Sequence, residues 1–260
     1  MKARLLAHTQ LSHRIHSGEL ANNGLDNIQD LIAYCARVSN PANQANTKTT
    51  PKLLDYLIKH KHWSPFEMAS ATIEVHTTRD IGRQLLRHRS FSFQEFSQRY
   101  ADVNSLGDVF TIRDARLQDT KNRQNSIDNV DAALDDEWAN KQMAVIETAK
   151  MAYNWAIDNG IAKEQARVVL PEGNTKSVLY VNGTIRSWIH YCELRSANGT
   201  QKEHMELAYS KSSHLSRHCN TAAHLKIKES NNTDFFPTDK IFVDCGETIK
   251  LEDIKEEINE

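Results

Sequence analysis

Cysteine is scarce and scattered in this sequence: Cys35, Cys192, Cys219 and Cys245 form no C-x-x-C pair. A disulfide framework is therefore not expected, and the four read as reduced thiols of a cytosolic protein. Positive charge is not in excess either. The formal net charge is −2, whereas a general nucleic-acid coat protein is usually basic, so any cationic site is local and no nucleic-acid partner is expected. No run approaches the roughly 18 apolar residues of a membrane span. The opening MKARLLAHTQLSHRIHSGEL lacks the long apolar segment of a secretory leader. The expectation is a cytoplasmic protein with no membrane partner. Internal repeats and a G-x-G-x-x-G loop are also missing.

What is present is an ordinary globular balance, 39% apolar and 25% charged residues in a chain of 260. That suits one large domain or two small ones around a sizeable core. Helical spacing marks LDNIQDLIAYCARVS, with Asp26 as its expected N-cap, and PKLLDYLIKH, with Pro51 in the first turn. HWSPF reads as a turn, ATIEVHTT alternates as a strand, and RDIGRQLLRHR reads as a helix. A polar excursion covers about 101–136 and is expected to be exposed. Beyond it come a long helix ended by Gly160, a helix stopped by Pro171, the strand SVLYVNG and the helices TIRSWIHYCELRSA and QKEHMELAYSK. From about 212 the sequence turns polar and ends acidic, which predicts a domain at 1–211 and an appendage at 212–260.

The densest chemistry lies in RHRSFSFQEFSQRY, residues 87–100. From Arg79 to Arg99 there are five arginines and no lysine. On a helix, Arg83 and Arg87 share a face with Gln84 beside them, while Ile81 and Leu85 face the core. Arg89 then projects between Leu85 and Leu86, a poor place for a charge unless it meets an anion or the helix has ended. Phe91 and Phe93 alternate with serines and Phe96 breaks the alternation, so an irregular segment is pinned by rings. Arginine forks grip phosphate in pairs and stack on flat rings, and serine hydroxyls and glutamine amides add short hydrogen bonds. This inventory suits a phosphorylated heteroaromatic ligand, a nucleotide. It equally suits a solvated helix face with a structural ion pair, for example Arg99 with Glu95. Arg167 in EQARVVLP and Arg195 in IHYCELR could join the same anion site, or could each be a snorkelling side chain or a helix-end cation.

RHR followed after seven residues by Ser97 resembles the signature of the flavin-dependent thymidylate synthases. CARVS (35–39), HWSPFE (62–67), ARVVLP (166–171) and IRSWIHYCELR (185–195) resemble that family's other blocks, in the same order, and the resemblance covers roughly 1–210. It implies an α+β fold, a mixed sheet flanked by helices, assembled as a homotetramer with active sites between subunits. It implies reductive methylation of dUMP to dTMP, with methylene-tetrahydrofolate as carbon donor and FAD, reduced by NADPH, as hydride carrier. No enzyme cysteine attacks the pyrimidine, in keeping with cysteines that sit in no basic, activating setting.

Carried onto this sequence, the resemblance assigns Gln84, Arg87, Glu95, Phe96, Ser97, Gln98, Arg99 and Arg167 to dUMP. Arg195 faces the pyrimidine and favours its ionised form, the catalytic role. FAD falls to Ser39, His62, Ser64, Arg87, His88, Arg89, Gln94 and Glu95, with Arg186 and His190 from a neighbouring subunit. Gln94, Thr184 and His190 stand where many members have asparagine, and Gly199 where a histidine is usual. A different class, a non-catalytic nucleotide- or RNA-binding module, would favour spread lysines and a basic total. His214, His218, Cys219 and His224 read as incidental residues of a polar tail, so no metal is expected.

Overall fold

The computed structural model describes residues 1–12, 25–128 and 130–219, with side chains described as far as 210. These lie in one compact unit, Met1–Ile227. The appendage expected at 212–260, with its histidines, lies outside the described side chains.

Four strands form the main sheet: β1 (Lys2–His8), β2 (Ser70–Thr78), β3 (Ser92–Glu95) and the late strand Lys176–Thr184, which enters between β2 and β3. The α+β class is as expected, but every pairing is antiparallel rather than mixed. Strand β1 carries no clean alternation; its partner is β2, with Lys2 opposite His76 and a register shift between Leu5 and Ala7.

Helix α1 (Ile28–Ala36) is capped by Asn27, not Asp26: Asn27 is extended, and its side chain accepts from the Asp30 amide at 3.0 Å. Helix α2 (Thr50–Lys59) carries Pro51 in its first turn, and a 3-10 turn follows at Ser64–Glu67. Helix α3 spans Arg79–Leu85. A minor ribbon pairs β4 (Leu117–Gln118) with β5 (Ser126–Ile127). The long helix α4 (Ala132–Asp158) starts earlier than EWANKQ because Asp131 caps it, and the chain turns away at Gly160, φ 74°. Helix α5 (Lys163–Ala166) is only a turn long and runs into a 3-10 turn, Arg167–Val169. The strand Lys176–Thr184, now β6, leads directly into α6 (Ile185–Arg195), whose N-cap is Thr184. Helix α7 (Lys202–Cys219) completes the unit.

The principal core joins the sheet to α1, α2, α6 and α7 through Ile32, Leu54, Phe66, Ile73, Val75, Leu179, Val181, Trp188, Tyr191 and Leu207. Trp188 donates from its indole to the Ala71 carbonyl at 3.1 Å. Phe91 packs 4.4 Å, centroid to centroid, from Trp188, and it fits because Gly183 lies beneath it: a Cβ there would fall 2.2 Å from the Phe91 Cδ1. A second cluster, Val103, Val109, Tyr153, Ala156 and Ala166, takes Phe96 against it. The stretch holding Ser97 is thus strung between two cores, with Phe91 in one and Phe96 on the other.

The excursion at 101–136 is more anchored than its polarity suggests. Val103 and Val109 are buried. Arg113 donates to Asp80 at 2.7 Å, and Arg116 to Glu203 at 2.6 Å. These two charges are bound to the body of the protein, while Asp114, Lys121, Arg123 and Asp136 stay exposed.

Candidate functional site

Helix α3 stops at Leu85, its last fully buried residue. Ending there spares the core a guanidinium at Arg89 and releases Arg87, His88 and Arg89 into turns before β3. Arg87 and Arg89 are exposed, and neither guanidinium makes a hydrogen bond or ion pair with a described residue. The Arg167 guanidinium, half-exposed at its 3-10 turn, is likewise unpaired among the described residues. Cations without internal partners are the raw material of an anion site.

Arg79 is different. It is buried, and it donates to Glu95 at 3.3 Å, while Glu95 also accepts from the Ser177 hydroxyl at 3.0 Å. Burial holds the Arg79 guanidinium below its ordinary range, and Glu95 opposes that. Arg83 and Arg167 push it down further, and Glu172 pushes it up. These influences bring 79–83 and 167–172 to one place, where Arg83 pairs with Glu172 at 3.1 Å. Glu95, assigned by sequence to both ligands, holds Arg79 and Ser177 on one oxygen, Oε1. The ion pair imagined between Arg99 and Glu95 is not formed: Arg99 reaches Glu164 at 3.4 Å, an exposed contact.

At the far end of α6, the Arg195 Nε donates to the Nε2 of His88 at 2.9 Å. Burial lowers the Arg195 guanidinium, Tyr191 offsets this and Arg87 adds to it, so Arg87 and Arg195 feel each other. Gln84 donates to Gln201 at 2.7 Å and faces the ring of His204 at 3.1 Å. Ser97 and Gln94 are exposed. Gln98 is almost fully buried, and its amide nitrogen has no partner among the described residues.

The remaining expected residues stand apart. Arg186 pairs with Glu67. His190 lies 4.3 Å from Trp63, ring to ring, and His62 is 6.0 Å from Tyr56. Ser39 and Ser64 are exposed in neighbouring turns. Arg186 and Arg195 are nine positions apart on α6, which puts them about 13 Å apart along the axis and on opposite sides of the helix. On one chain, Gln84, Arg87, His88 and Arg195 fall in one neighbourhood, while Arg186 and His190 pack with Glu67 and Trp63 of the 62–67 turn.

Sequence reasoning missed Gln201, Tyr191 and His204 as members of this neighbourhood. A signal existed: His204, Leu207 and Ala208 share the buried stripe of α7, and a histidine in an apolar stripe needs partners.

Compared with known proteins, residues 22–219 match the family described as thymidylate synthase complementing protein. The chain is 53% identical over 185 residues to a probable flavin-dependent thymidylate synthase of Paramecium bursaria Chlorella virus 1, covering 71% of this chain and 84% of that one. It is 50% identical over 196 residues to a flavin-dependent thymidylate synthase of Synechocystis sp., covering 75% and 87%. Among solved structures, the UMP/dUMP methylase PolB from Streptomyces cacaoi bound with 5-Br dUMP superposes with a TM-score of 0.69 at 27% identity, over 85% of this chain and 91% of that one.

Proposed function

This chain belongs to the thymidylate synthase complementing protein family, the flavin-dependent thymidylate synthases, and from that premise we propose that it methylates dUMP reductively to dTMP. One observation carries the reading: Arg87, Arg89 and Arg167 are held on structured turns without counterions among the described residues, and Arg195, near Arg87, is fixed by His88. The protein has built cations and left them for a ligand.

Arg87, Arg167 and Arg99 receive the phosphate of dUMP, with Ser97, Phe96 and Gln98 lining its sugar and base. Gln84 keeps one N–H and one lone pair beyond its bonds to Gln201 and His204, enough for one polar atom of the nucleotide. Arg195 presents its two outer nitrogens to the pyrimidine, where a fixed cation lowers the energy of the base anion formed as the carbon is added.

The same inventory fits FAD, whose diphosphate calls for paired arginine forks: Arg87 and Arg89 stand two residues apart and unpaired among the described residues, with His88 between them. Ser39, His62, Ser64, Gln94, Arg186 and His190 complete the proposed flavin contacts. When bound, the flavin supplies the hydride that reduces the transferred carbon, with NADPH as the ultimate reductant and methylene-tetrahydrofolate as carbon donor. The helical separation of Arg186 and His190 from Arg195 supports a site shared between subunits of a homotetramer. Catalysis is assigned to 1–211, with 212–260 as an extension, in the cytoplasm.

The two described thiols support this chemistry over nucleophilic attack by cysteine. Cys192 is fully buried and directed at the Ala208 carbonyl, and burial pushes the Cys35 thiol up, away from the reactive thiolate.

The test uses the purified protein: its visible spectrum, then NADPH oxidation with and without dUMP, then transfer of a labelled carbon from methylene-tetrahydrofolate. A flavin spectrum, dUMP-stimulated oxidation and labelled dTMP are expected. A colourless protein that stayed inert after added FAD would sink the reading.

A further inference from the structure

His204 is the one fully buried histidine among the described side chains, at 0% exposure. Its two ring nitrogens are both engaged: Nδ1 lies 3.1 Å from the Gln84 Oε1, and Nε2 lies 3.1 Å from the Tyr191 hydroxyl. The directions of these bonds follow from chemistry. With its amide nitrogen donating to the Gln201 Oε1 at 2.7 Å, Gln84 turns its oxygen to His204, so Nδ1 carries the proton. A neutral ring then has its lone pair on Nε2, and the Tyr191 hydroxyl donates to it. Tyr191 is 1% exposed, and burial pushes its phenol well above the ordinary range, keeping it a donor. His88 lies 6.4 Å away, ring to ring, and Tyr191 is coupled to Arg195, which in turn feels Arg87.

The chain of bonds therefore runs Gln201–Gln84–His204–Tyr191. Gln84 is on α3, Tyr191 is on α6 four residues before Arg195, and His204 and Gln201 belong to the α7 end of the chain. The His88 ring, which holds Arg195, stacks edge-on against Tyr191 at 5.0 Å.

We propose that His204 is a positioning residue of the dUMP site, bracing the Gln84 amide of α3 against the Arg195-bearing turn of α6. It touches no ligand; it fixes the separation of two groups that do. The inference rests on the functional reading above, because Gln84 and Arg195 matter to turnover only if dUMP lies between them.

Three variants test it in the flavin-loaded full chain. His204→Phe keeps a ring and loses both hydrogen bonds. His204→Asn restores a donor near the Nδ1 position and so keeps the bond to Gln84. Gln201→Ala removes the outer brace at a half-exposed position that tolerates truncation. The readouts are dUMP affinity by equilibrium dialysis, kcat and KM separately, and flavin content with melting temperature as controls of folding. His204→Phe is expected to weaken dUMP binding about fivefold, the effect of one misplaced neutral hydrogen bond, with flavin content unchanged. His204→Asn is expected to recover most of that loss, and Gln201→Ala to weaken dUMP binding about two- to threefold. A purely structural histidine would lower the melting temperature and leave dUMP affinity alone. If His204→Phe does not fold, His204→Asn and Gln201→Ala decide. Folded variants with dUMP affinity and kcat of the unaltered enzyme would overturn the inference alone. Absence of dUMP binding by the unaltered protein would overturn the functional reading, and this inference with it.

Discussion

The Nε of Arg195 donates to the Nε2 of His88 across 2.9 Å, joining the last turn of α6 to the turn between α3 and β3. An arginine has no lone pair to offer, so His88 must be the acceptor, neutral and protonated on Nδ1. The bond takes the inner nitrogen of the guanidinium and orients its plane, and both outer nitrogens stay available. His88 thereby acts on Arg195 as well as standing, in the proposed assignment, beside the flavin.

Replacing Arg195 separates orientation from charge. Arg195→Lys keeps a cation but has no planar fork for His88 to orient. It is expected to lower kcat about 10²–10³-fold, the effect of removing one fixed electrostatic donor, while dUMP phosphate binding and the folded state persist. Steady-state kinetics with equilibrium dialysis of dUMP would check this. A near-normal kcat would remove Arg195 from the reaction.

Ser97 is exposed, and no described base lies within hydrogen-bond reach of its hydroxyl. It is a ligand to dUMP in the proposed site, not a nucleophile. Ser97→Ala should retain activity, with kcat/KM reduced about five- to tenfold for one lost hydrogen bond. Complete loss of turnover in a variant that still bound dUMP and flavin would contradict this.

Gly183 is glycine because of a neighbour, not because of its own backbone. A methyl group there would meet the Phe91 ring at 2.2 Å, and Phe91 is wedged against Trp188 and Tyr191. Gly183→Ala should cost about 1–3 kcal/mol of stability, read as a fall in thermal midpoint. Adding Phe91→Leu should return part of the loss, because a smaller side chain relieves the overlap. Additive losses in the double variant would place the strain elsewhere.

The Arg116–Glu203 pair predicts an acid-sensitive link between the polar excursion and α7. Burial pushes the Glu203 carboxyl up, but the hydrogen bond and charge of Arg116 more than offset it, with a smaller contribution from Arg113. The folded-state value is therefore depressed below 4.5. A depressed carboxylate contributes stability above its unfolded value and loses it as pH falls through the folded one. Stability should decline as pH drops below about 4.5. Glu203→Gln should lose about 1–3 kcal/mol at neutral pH and show a shallower acid limb in chemical denaturation. An unchanged acid limb would mean that other carboxylates govern it.

Local chemistry was readable in advance, and long-range pairing was not. The end of α4 followed from Gly160, whereas the helical reading of RDIGRQLLRHR ran on to Arg89 and left the misfit of that charge open; the helix stops at Leu85. The arginines of 79–99 suited an anion site by their number and by the lack of lysine among them, but suited a solvated helix face equally, and only the structure shows that Arg79 is buried on Glu95 while Arg87 and Arg89 are exposed. Strand β1 was silent because Lys2–His8 buries only Ala3 fully and owes its conformation to β2, far along the chain. Arg113 and Arg116 read as solvent-facing charges because their partners, Asp80 and Glu203, are distant in sequence. Asp26 and Asn27 are both good caps, and only the backbone angles at Asn27 decide between them. His204 was hidden for the same reason: its meaning lies in Gln84 and Tyr191, which no local pattern connects to it.

The order β1-β2-β6-β3 also governs how the protein is born. Both β2 and β3 need β6 as their shared partner, and β6 ends at Thr184. During synthesis, the arginine-rich turn and its flanking strands emerge on the order of 5–20 s before the strand that seats them. For that interval the nascent chain carries two open strand edges and an uncompensated cluster of positive charge. The arginine-rich segment thus waits for a partner strand that begins only at Lys176, and it is where a chaperone would find the growing chain in need of cover.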